Sequence, residues 1–139
     1  AEFKAQPDSS MWVDANCIEE ALLSDKCLII DARSEERFSG EREVLDKVPG
    51  HIPGSINYPF EDNLDMGGTY MSAEELREAY LDLLNGVEPQ RVVHMCGSGV
   101  TACHSVIAME HAGLKGTRLY PGSWSEWITD PGRPVETGE

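Results

Sequence analysis

Short apolar runs that alternate with helical patterns constrain the fold of this 139-residue chain most strongly. The clearest run is Cys27–Ile30, which is apolar at every position rather than at every second one. Continuous apolarity is typical of a strand that is buried on both faces, as in a parallel sheet. Further short strands are predicted at 56–58, 91–95 and 117–120.

Helical patterns lie between and after these strands. Asp14 is placed to cap a helix over 15–23, and a capping box at 72–75 starts a second, longer helix. A third helix is predicted over 102–111, and 123–128 is predicted to form one or two final turns. Strands that alternate with helices predict an α/β fold with a central, mainly parallel sheet flanked by helices. Ligands of such sheets bind beyond the carboxyl ends of the strands.

The ends of the chain and its longest connection are predicted to be less regular. Residues 1–10 form a linker-like extension, and we expect a single domain over 11–139. Trp12-Val13 is predicted as a short strand, and the segment from Thr129 onward, rich in Pro and Gly, is predicted to be loose. Residues 39–55 form a long charged connection that ends in a stiff Pro-Gly turn.

Charge and hydropathy narrow the possible partners. The net charge of −14 argues against nucleic acid, because phosphate contacts need clustered Lys and Arg. No apolar run approaches the roughly 20 residues that a membrane span needs. A negative surface also repels small anions, so any anion site must be locally positive and the few arginines matter. Since no secretory signal is present, we expect a cytoplasmic protein whose four cysteines are free thiols.

The sequence after the 91–95 strand is the candidate reactive site. Cys96 comes first in a loop that contains Gly97 and Gly99 and leads directly into a helix. Such loops turn backbone N–H groups inward at a helix N-terminus, and both features stabilise an anion. The anion can be the cysteine's own thiolate, whose pKa of about 8.5 falls at such positions. Ser98 and Thr101 add hydroxyl donors.

Three alternatives compete with an activated Cys96. The cysteine can be buried and inert, with glycines that serve only the turn. A zinc site could use His94, Cys96 and the pair Cys103-His104, but a stretch of loop and helix separates the pairs. A cysteine phosphatase needs an arginine near the end of the loop, and none of the six residues after Cys96 is basic. We predict no metal or other cofactor.

The remaining cysteines and one histidine are predicted to be structural. Cys103, Cys17 and Cys27 lack a glycine-rich loop and are predicted to pack in the core. His51 lies between Pro and Gly turns and is predicted to be a structural residue or a wall of the site rather than a base.

Four ordered segments resemble those of the 3-mercaptopyruvate sulfurtransferases, in the rhodanese superfamily. They are DAR and RFSG at 31–40, GHIPGSIN at 50–57, CGSGVTA at 96–102 and YPGSWSEW at 120–127. The resemblance implies a rhodanese-like, three-layer fold and a persulfide formed on Cys96, with Ser98 assisting proton movement. It also implies a set of donor-binding residues, namely Arg37, Arg42, Gly97, Gly99, Val100 and Thr101.

The resemblance further implies the reaction and its partners. Sulfur would pass from 3-mercaptopyruvate or thiosulfate, a small anionic donor, to cyanide, a thiol or thioredoxin. The neutral pair Gly97-Ser98 stands where thiosulfate-preferring enzymes carry basic residues, which favours mercaptopyruvate without excluding thiosulfate. The four segments belong to the C-terminal, catalytic half of tandem-domain members. We therefore expect an N-terminal rhodanese-like domain as a partner, whose aspartate completes a triad with Cys96 and Ser98. A non-catalytic rhodanese-like interaction or regulatory module is the alternative function.

Overall fold

Four parallel strands form the centre of the computed structural model, which describes all 139 residues. Their order across the sheet is β2-β1-β3-β4, and every neighbouring pair is parallel. The strands are β1 (Leu28–Asp31), β2 (Ile56–Asn57), β3 (Val92–Met95) and β4 (Arg118–Leu119). Asp31 lies opposite Met95, so the carboxyl ends of β1 and β3 meet at one edge of the sheet. The predicted parallel sheet is confirmed.

Five helices surround the sheet, and the chain also contains three short 3-10 turns. The helices are α1 (Ala15–Ser24), α2 (Glu35–Ser39), α3 (Ala73–Leu84), α4 (Val100–His111) and α5 (Ser123–Trp127), and the 3-10 turns are Ser9–Met11, Phe60–Asn63 and Pro89–Arg91. Asp14 caps α1 by accepting a 2.9 Å hydrogen bond from the Cys17 N–H. Ser72 and Glu75 form both bonds of a capping box at the start of α3. Both predicted caps are therefore confirmed.

Neighbouring strand residues point to opposite faces of the sheet, and this produces two cores. Ile29 and Val93 belong to a core that includes residues of α1 and α5. Ile30 and Val92 belong to a second core that includes residues of α3 and α4. All four residues of β3 are buried, as expected for a strand covered on both sides. The sheet and its two helical layers make the three-layer α/β fold that the sequence predicts.

Three local predictions were wrong. The predicted strand at Trp12-Val13 is only an isolated bridge to Leu119. The tail after Thr129 is not loose, because Glu136 pairs with His51 through two backbone hydrogen bonds of 2.8 and 2.9 Å. The Gly138 N–H also donates to Ser39, the last residue of α2, at 2.8 Å.

The third error concerns Cys103, which is exposed rather than packed in the core. The buried residues of α4 are Ala102, Ser105, Ala108 and Met109. At about 100° per residue, these four residues fall within about 120° of one another around the helix axis, and Cys103 lies on the opposite side. None of the helices has the length and apolar character needed to cross a membrane.

Candidate active site

Cys96 lies directly after β3, at the edge of the sheet where β1 also ends. Its side chain is buried among Ala32, Ala102 and the partly buried residues packed on them, and the residue is 1% exposed. The thiol sulfur accepts a 3.1 Å hydrogen bond from the Gly99 N–H. The loop therefore folds back on the sulfur, as the sequence predicts.

The surroundings of Cys96 favour the thiolate. Burial is the largest influence on the pKa of the thiol and raises it, because a charge is costly away from water. The Thr101 hydroxyl acts in the opposite direction, and so do three backbone N–H groups, which belong to Ala102, Ser98 and Gly99. Together these donors outweigh burial and hold the pKa of Cys96 below its ordinary value. The sulfur is thus a buried thiol with a lowered pKa, close to the start of α4.

Gly99 makes this turn possible for two separate reasons. Its φ angle is +83°, in the left-handed region that other residues adopt only with strain. A Cβ at this position would also lie 2.5 Å from the carbonyl oxygen of Pro121. The loop after Cys96 therefore packs directly on the turn before α5.

The first turn of α5 holds the backbone on both sides of the cysteine. The Cys96 N–H donates to the Ser123 hydroxyl at 3.1 Å, and the Cys96 carbonyl accepts from the Trp124 N–H at 3.0 Å. The Gly97 carbonyl accepts from the Ser125 N–H at 2.9 Å. Ser123 itself has a φ of +55° and donates its hydroxyl to the Tyr120 carbonyl at 2.9 Å. The YPGSWSEW segment thus fixes the position of the reactive loop.

A cleft of about 350 Å³ opens beside the cysteine. Arg37 is the basic residue of its lining, which consists of Arg37, Leu45, Asp46, Cys96, Gly97, Ser98, Val100, Thr101 and Ser125. The guanidinium lies close to the loop, since both of its terminal nitrogens are 3.3 Å from the position of a Cβ added at Gly97. Arg37 and Cys96 therefore line the same cleft.

Arg37 is held by two carboxylates. Its Nε lies 3.1 Å from a carboxylate oxygen of Glu43, and its Nη2 donates to Asp46 at 2.9 Å. Burial raises the pKa of Glu43, but N–H groups of Leu45 and Asp46, and then Arg37, lower it more, so the net pKa is below its ordinary value. Sequence reasoning missed Glu43 and Asp46, because they lie in the connection 39–55, which has no periodic pattern.

A second ion pair, between Arg33 and Asp31, is fully buried and lies next to Glu43. The Arg33 side chain makes three hydrogen bonds to the Asp31 carboxylate, from Nε at 3.1 and 3.0 Å and from Nη2 at 2.7 Å, and Nη2 also donates to the Gly50 carbonyl at 2.8 Å. Its Nη1 makes no hydrogen bond and lies 3.6 Å from Glu43. The charged residues at the end of β1 are thereby connected, through Glu43, to Arg37 in the cleft.

The structure brings together most of the predicted site residues, but not Arg42. The latter side chain is 71% exposed, lies 4.0 Å from Glu36 and is absent from the lining of the cleft. The predicted donor-binding role of Arg42 therefore has no geometric support. Ser98, Val100 and Thr101 all line the cleft, and Gly99 contributes its N–H to the sulfur.

His51 is buried and structural, as the sequence predicts. Its ring stacks on Phe38 with centroids 3.8 Å apart, and its Nδ1 lies 2.8 Å from the Phe38 carbonyl oxygen. Cys17 and Cys27 are partly buried, and neither lies in a glycine-rich loop. No group of three or more His, Cys, Asp or Glu side chains has an arrangement that could hold a metal ion.

The relationship to known proteins follows from the profile of the rhodanese-like domain family, which matches residues 14–130. The chain belongs to the rhodanese-like domain family. Within it, this rhodanese-like domain is 46% identical over 138 residues to the probable 3-mercaptopyruvate sulfurtransferase of Pseudomonas aeruginosa, covering 99% of this chain and 49% of that protein. It is 40% identical over 129 residues to human 3-mercaptopyruvate sulfurtransferase, covering 91% of this chain and 43% of that protein.

Mouse thiosulfate sulfurtransferase is 36% identical over 131 residues, which cover 92% of this chain and 44% of that protein. The rhodanese-like domain thus spans about half the length of the curated relatives it matches. Among solved structures, it resembles EanB in complex with ergothioneine, with a TM-score of 0.81, 25% identity and coverage of 94% of this chain and 32% of that one. A form of EanB with ergothioneine covalently linked to a persulfide cysteine superposes with a TM-score of 0.84 and 26% identity, covering 100% of this chain and 35% of that one.

Proposed function

We propose that this domain is a sulfurtransferase that moves sulfur from 3-mercaptopyruvate or thiosulfate to a thiophilic acceptor through a persulfide on Cys96. The observation that carries the proposal is the cysteine itself. Its sulfur lies at a helix N-terminus, hydrogen-bonded by the loop, with a pKa below the ordinary value. Relatives named for both donors, at 36% to 46% identity, support the same chemistry.

The first half of the reaction forms the persulfide. The Cys96 thiolate attacks the outer sulfur of thiosulfate, and the sulfur–sulfur bond breaks so that sulfite leaves with the electron pair. With 3-mercaptopyruvate the thiolate attacks the thiol sulfur, and the carbon–sulfur bond breaks. The pyruvate enolate then leaves with the electron pair and takes up the proton that the donor's thiol group loses, so the persulfide remains as an anion. Ser98, an exposed hydroxyl in the lining of the cleft, is suited to relay this proton.

The second half regenerates the thiolate. Cyanide attacks the outer sulfur of the persulfide and leaves as thiocyanate, whereas a thiol or thioredoxin-like protein leaves as its own persulfide. The backbone N–H groups that stabilise the thiolate also stabilise a persulfide anion, because both carry their charge on sulfur. No oxidant or reductant is consumed, since donor and acceptor exchange one sulfur atom.

Arg37 is the residue we assign to donor binding. It is the basic group in the lining of the cleft, and its guanidinium lies beside Gly97, next to the nucleophile. An arginine recognises a carboxylate or sulfonate through its planar donors. We further propose that an N-terminal rhodanese-like domain acts with this one. The length of the relatives supports this, because each is about twice as long as the chain.

The decisive experiment is intact-mass spectrometry after incubation with each donor. We expect an adduct of about 32 Da, one sulfur atom, that cyanide removes as thiocyanate. Cys96→Ser should abolish both the adduct and the thiocyanate, whereas Cys103→Ser, which removes the exposed cysteine, should retain both.

An adduct that survives in Cys96→Ser would contradict the proposed nucleophile. If the unmodified chain forms no adduct, and its Cys96 is alkylated at pH 6 no faster than a small thiol, the domain is a non-catalytic rhodanese-like module instead.

A further inference from the structure

Arg37 is not a free positive charge in the donor cleft. Its Nε is directed to Glu43 and its Nη2 to Asp46, at 3.1 and 2.9 Å. Nη1 makes no hydrogen bond within the protein and lies 3.3 Å from the Cβ position of Gly97. Three of the five N–H donors, two on Nη1 and one on Nη2, are therefore left for a ligand, on a group whose charge two carboxylates already neutralise.

The connected charges around Arg37 do not add a second cation. Glu43, with 3% of its side chain exposed, lies between Arg37 and Arg33, and Arg33 is already paired with Asp31. Including Asp46, three carboxylates face two guanidinium groups, so one negative charge is in excess. The other residues of the cleft are uncharged apart from the nucleophile, and the thiolate adds further negative charge.

Asp46 is the carboxylate that a bound donor would meet. It belongs to the lining of the cleft, whereas Glu43 does not, and 13% of its side chain is exposed. Its Oδ2 accepts from Arg37, and its Oδ1 accepts a 2.8 Å hydrogen bond from the Ser125 hydroxyl. Two donors on opposite oxygens fix the carboxylate beside the guanidinium.

We propose that Asp46 is a specificity-determining residue, whose carboxylate offsets the charge of Arg37 and thereby selects donors with one negative charge over dianions. This inference rests on the proposed sulfur transfer and names the class of donor, an α-keto acid thiol with a single carboxylate. A dianion such as thiosulfate places a second charge where no unpaired cation is available. Electrostatic energy scales with ligand charge, so Asp46 disfavours a dianion twice as strongly as a monoanion.

The test compares Asp46→Asn, which removes the charge and keeps the shape, with Asp82→Asn, which makes the same change at an exposed position of α3. The readout is protection of Cys96 against iodoacetamide by sulfate, a dianion, and by pyruvate, a monoanion, at low ionic strength. In Asp46→Asn we expect the concentration that gives half-maximal protection to fall about threefold for pyruvate and about tenfold for sulfate, because the electrostatic energy doubles with the charge of the ligand. Asp82→Asn should change neither, since exposed distant charges are screened.

Two further measurements separate charge from position. Ser125→Ala removes the second hydrogen bond of Asp46 but leaves its charge, so the ratio of sulfate to pyruvate protection should stay within twofold of the unmodified protein. In the unmodified protein, raising NaCl from 20 to 500 mM should increase that ratio, because salt screens the repulsion of the dianion more strongly. The salt series needs no variant and remains informative if Asp46→Asn does not fold.

The inference is overturned if protection by sulfate and protection by pyruvate change by the same factor in Asp46→Asn. It is also overturned if Ser125→Ala changes the ratio of sulfate to pyruvate protection as much as Asp46→Asn does, or if added salt lowers that ratio.

Turnover distinguishes this failure from that of the proposed function. We expect the ratio of kcat/KM for thiosulfate to that for mercaptopyruvate to rise about threefold in Asp46→Asn. An active protein with an unchanged ratio refutes the role of Asp46 alone. A protein inactive with both donors, but with the predicted protection, refutes sulfur transfer alone.

Discussion

The guanidinium of Arg37 packs on the backbone of Gly97, with both terminal nitrogens 3.3 Å from the point where a Cβ would lie. A side chain at position 97 would therefore compete with the guanidinium for the same space. In the proposed sulfur transfer, this contact sets the distance between the donor's acid group and the sulfur of Cys96.

Gly97→Ala tests this contact. A methyl group would push the guanidinium outward by a few tenths of an ångström, so donor binding should weaken while the nucleophile is unchanged. We expect KM for 3-mercaptopyruvate to rise about fivefold, or about 1 kcal/mol of binding energy, with kcat changed little. Steady-state kinetics with cyanide as acceptor checks this, with Gly132→Ala in the tail as the control. A lower kcat at unchanged KM would contradict the assigned role of Arg37.

Gly99→Ala should destabilise the fold. The alanine would have to adopt a φ of +83°, and its Cβ would lie 2.5 Å from the Pro121 carbonyl oxygen. We expect the free energy of unfolding in urea to fall by about 3 kcal/mol. Gly68→Ala is the matched control, since its φ is +79° but its Cβ would meet open space. Backbone strain alone should cost the control about 1 kcal/mol. Equal losses in the two variants would show that contact with Pro121 is unimportant.

Thr101→Val should make Cys96 less reactive at low pH. The Thr101 hydroxyl is the strongest of the groups that lower the thiol pKa, so its removal raises that pKa. A hydrogen bond to a charged group contributes about 1.5 kcal/mol, which corresponds to about tenfold slower alkylation by iodoacetamide at pH 6. The pH profile of the alkylation rate measures the effect. Thr129→Val, in the exposed tail, should leave the profile unchanged, and an unshifted profile in Thr101→Val would refute the thiolate contact.

His94 should make the fold sensitive to acid. It is fully buried in β3, and burial lowers its pKa from 6.5 to about 3. Below pH 6.5 the unfolded chain binds a proton that the folded protein does not, so stability falls as the pH falls from 6.5 toward 3. Between pH 7 and pH 5 this histidine should cost about 2 kcal/mol of unfolding free energy.

The measurement for His94 is the difference in unfolding free energy between pH 7 and pH 5. This difference should be smaller by about 2 kcal/mol in His94→Leu, whatever the variant's stability at pH 7. His111→Gln changes an exposed histidine at the end of α4 and should keep the full difference. A difference that is the same in all three proteins would show that His94 does not control the acid sensitivity.

Local signals predicted the framework of the site. The continuous apolar run before Asp31 indicated a strand buried on both faces, and the glycines after Cys96 indicated a loop that turns toward the sulfur. These features follow from interactions within a few residues of each other, or from the periodicity of burial, and both are visible in the sequence.

Contacts made by residues in irregular connections could not be predicted from the sequence in the same way. Asp46 reaches Arg37 from a connection with no periodic pattern, and Glu136 reaches His51 through backbone atoms that composition does not reveal. Cys103 was placed in the core only because it lacks a glycine-rich loop, whereas the buried face of α4 is formed by Ala102, Ser105, Ala108 and Met109. Ser123 was visible only as part of the YPGSWSEW segment, and nothing in the sequence indicated that its hydroxyl accepts from the Cys96 N–H.

The three hydrogen bonds between α5 and the backbone of Cys96 and Gly97 form within the folded chain itself. In the proposed reaction, the peptide groups around the sulfur are therefore already oriented when charge moves from thiolate to persulfide and back. In water, each of these changes would require solvent dipoles to rotate, at a cost in reorganisation energy. Here the orientation is set once, during folding, so each half of the proposed sulfur-transfer cycle would begin from the same fixed environment.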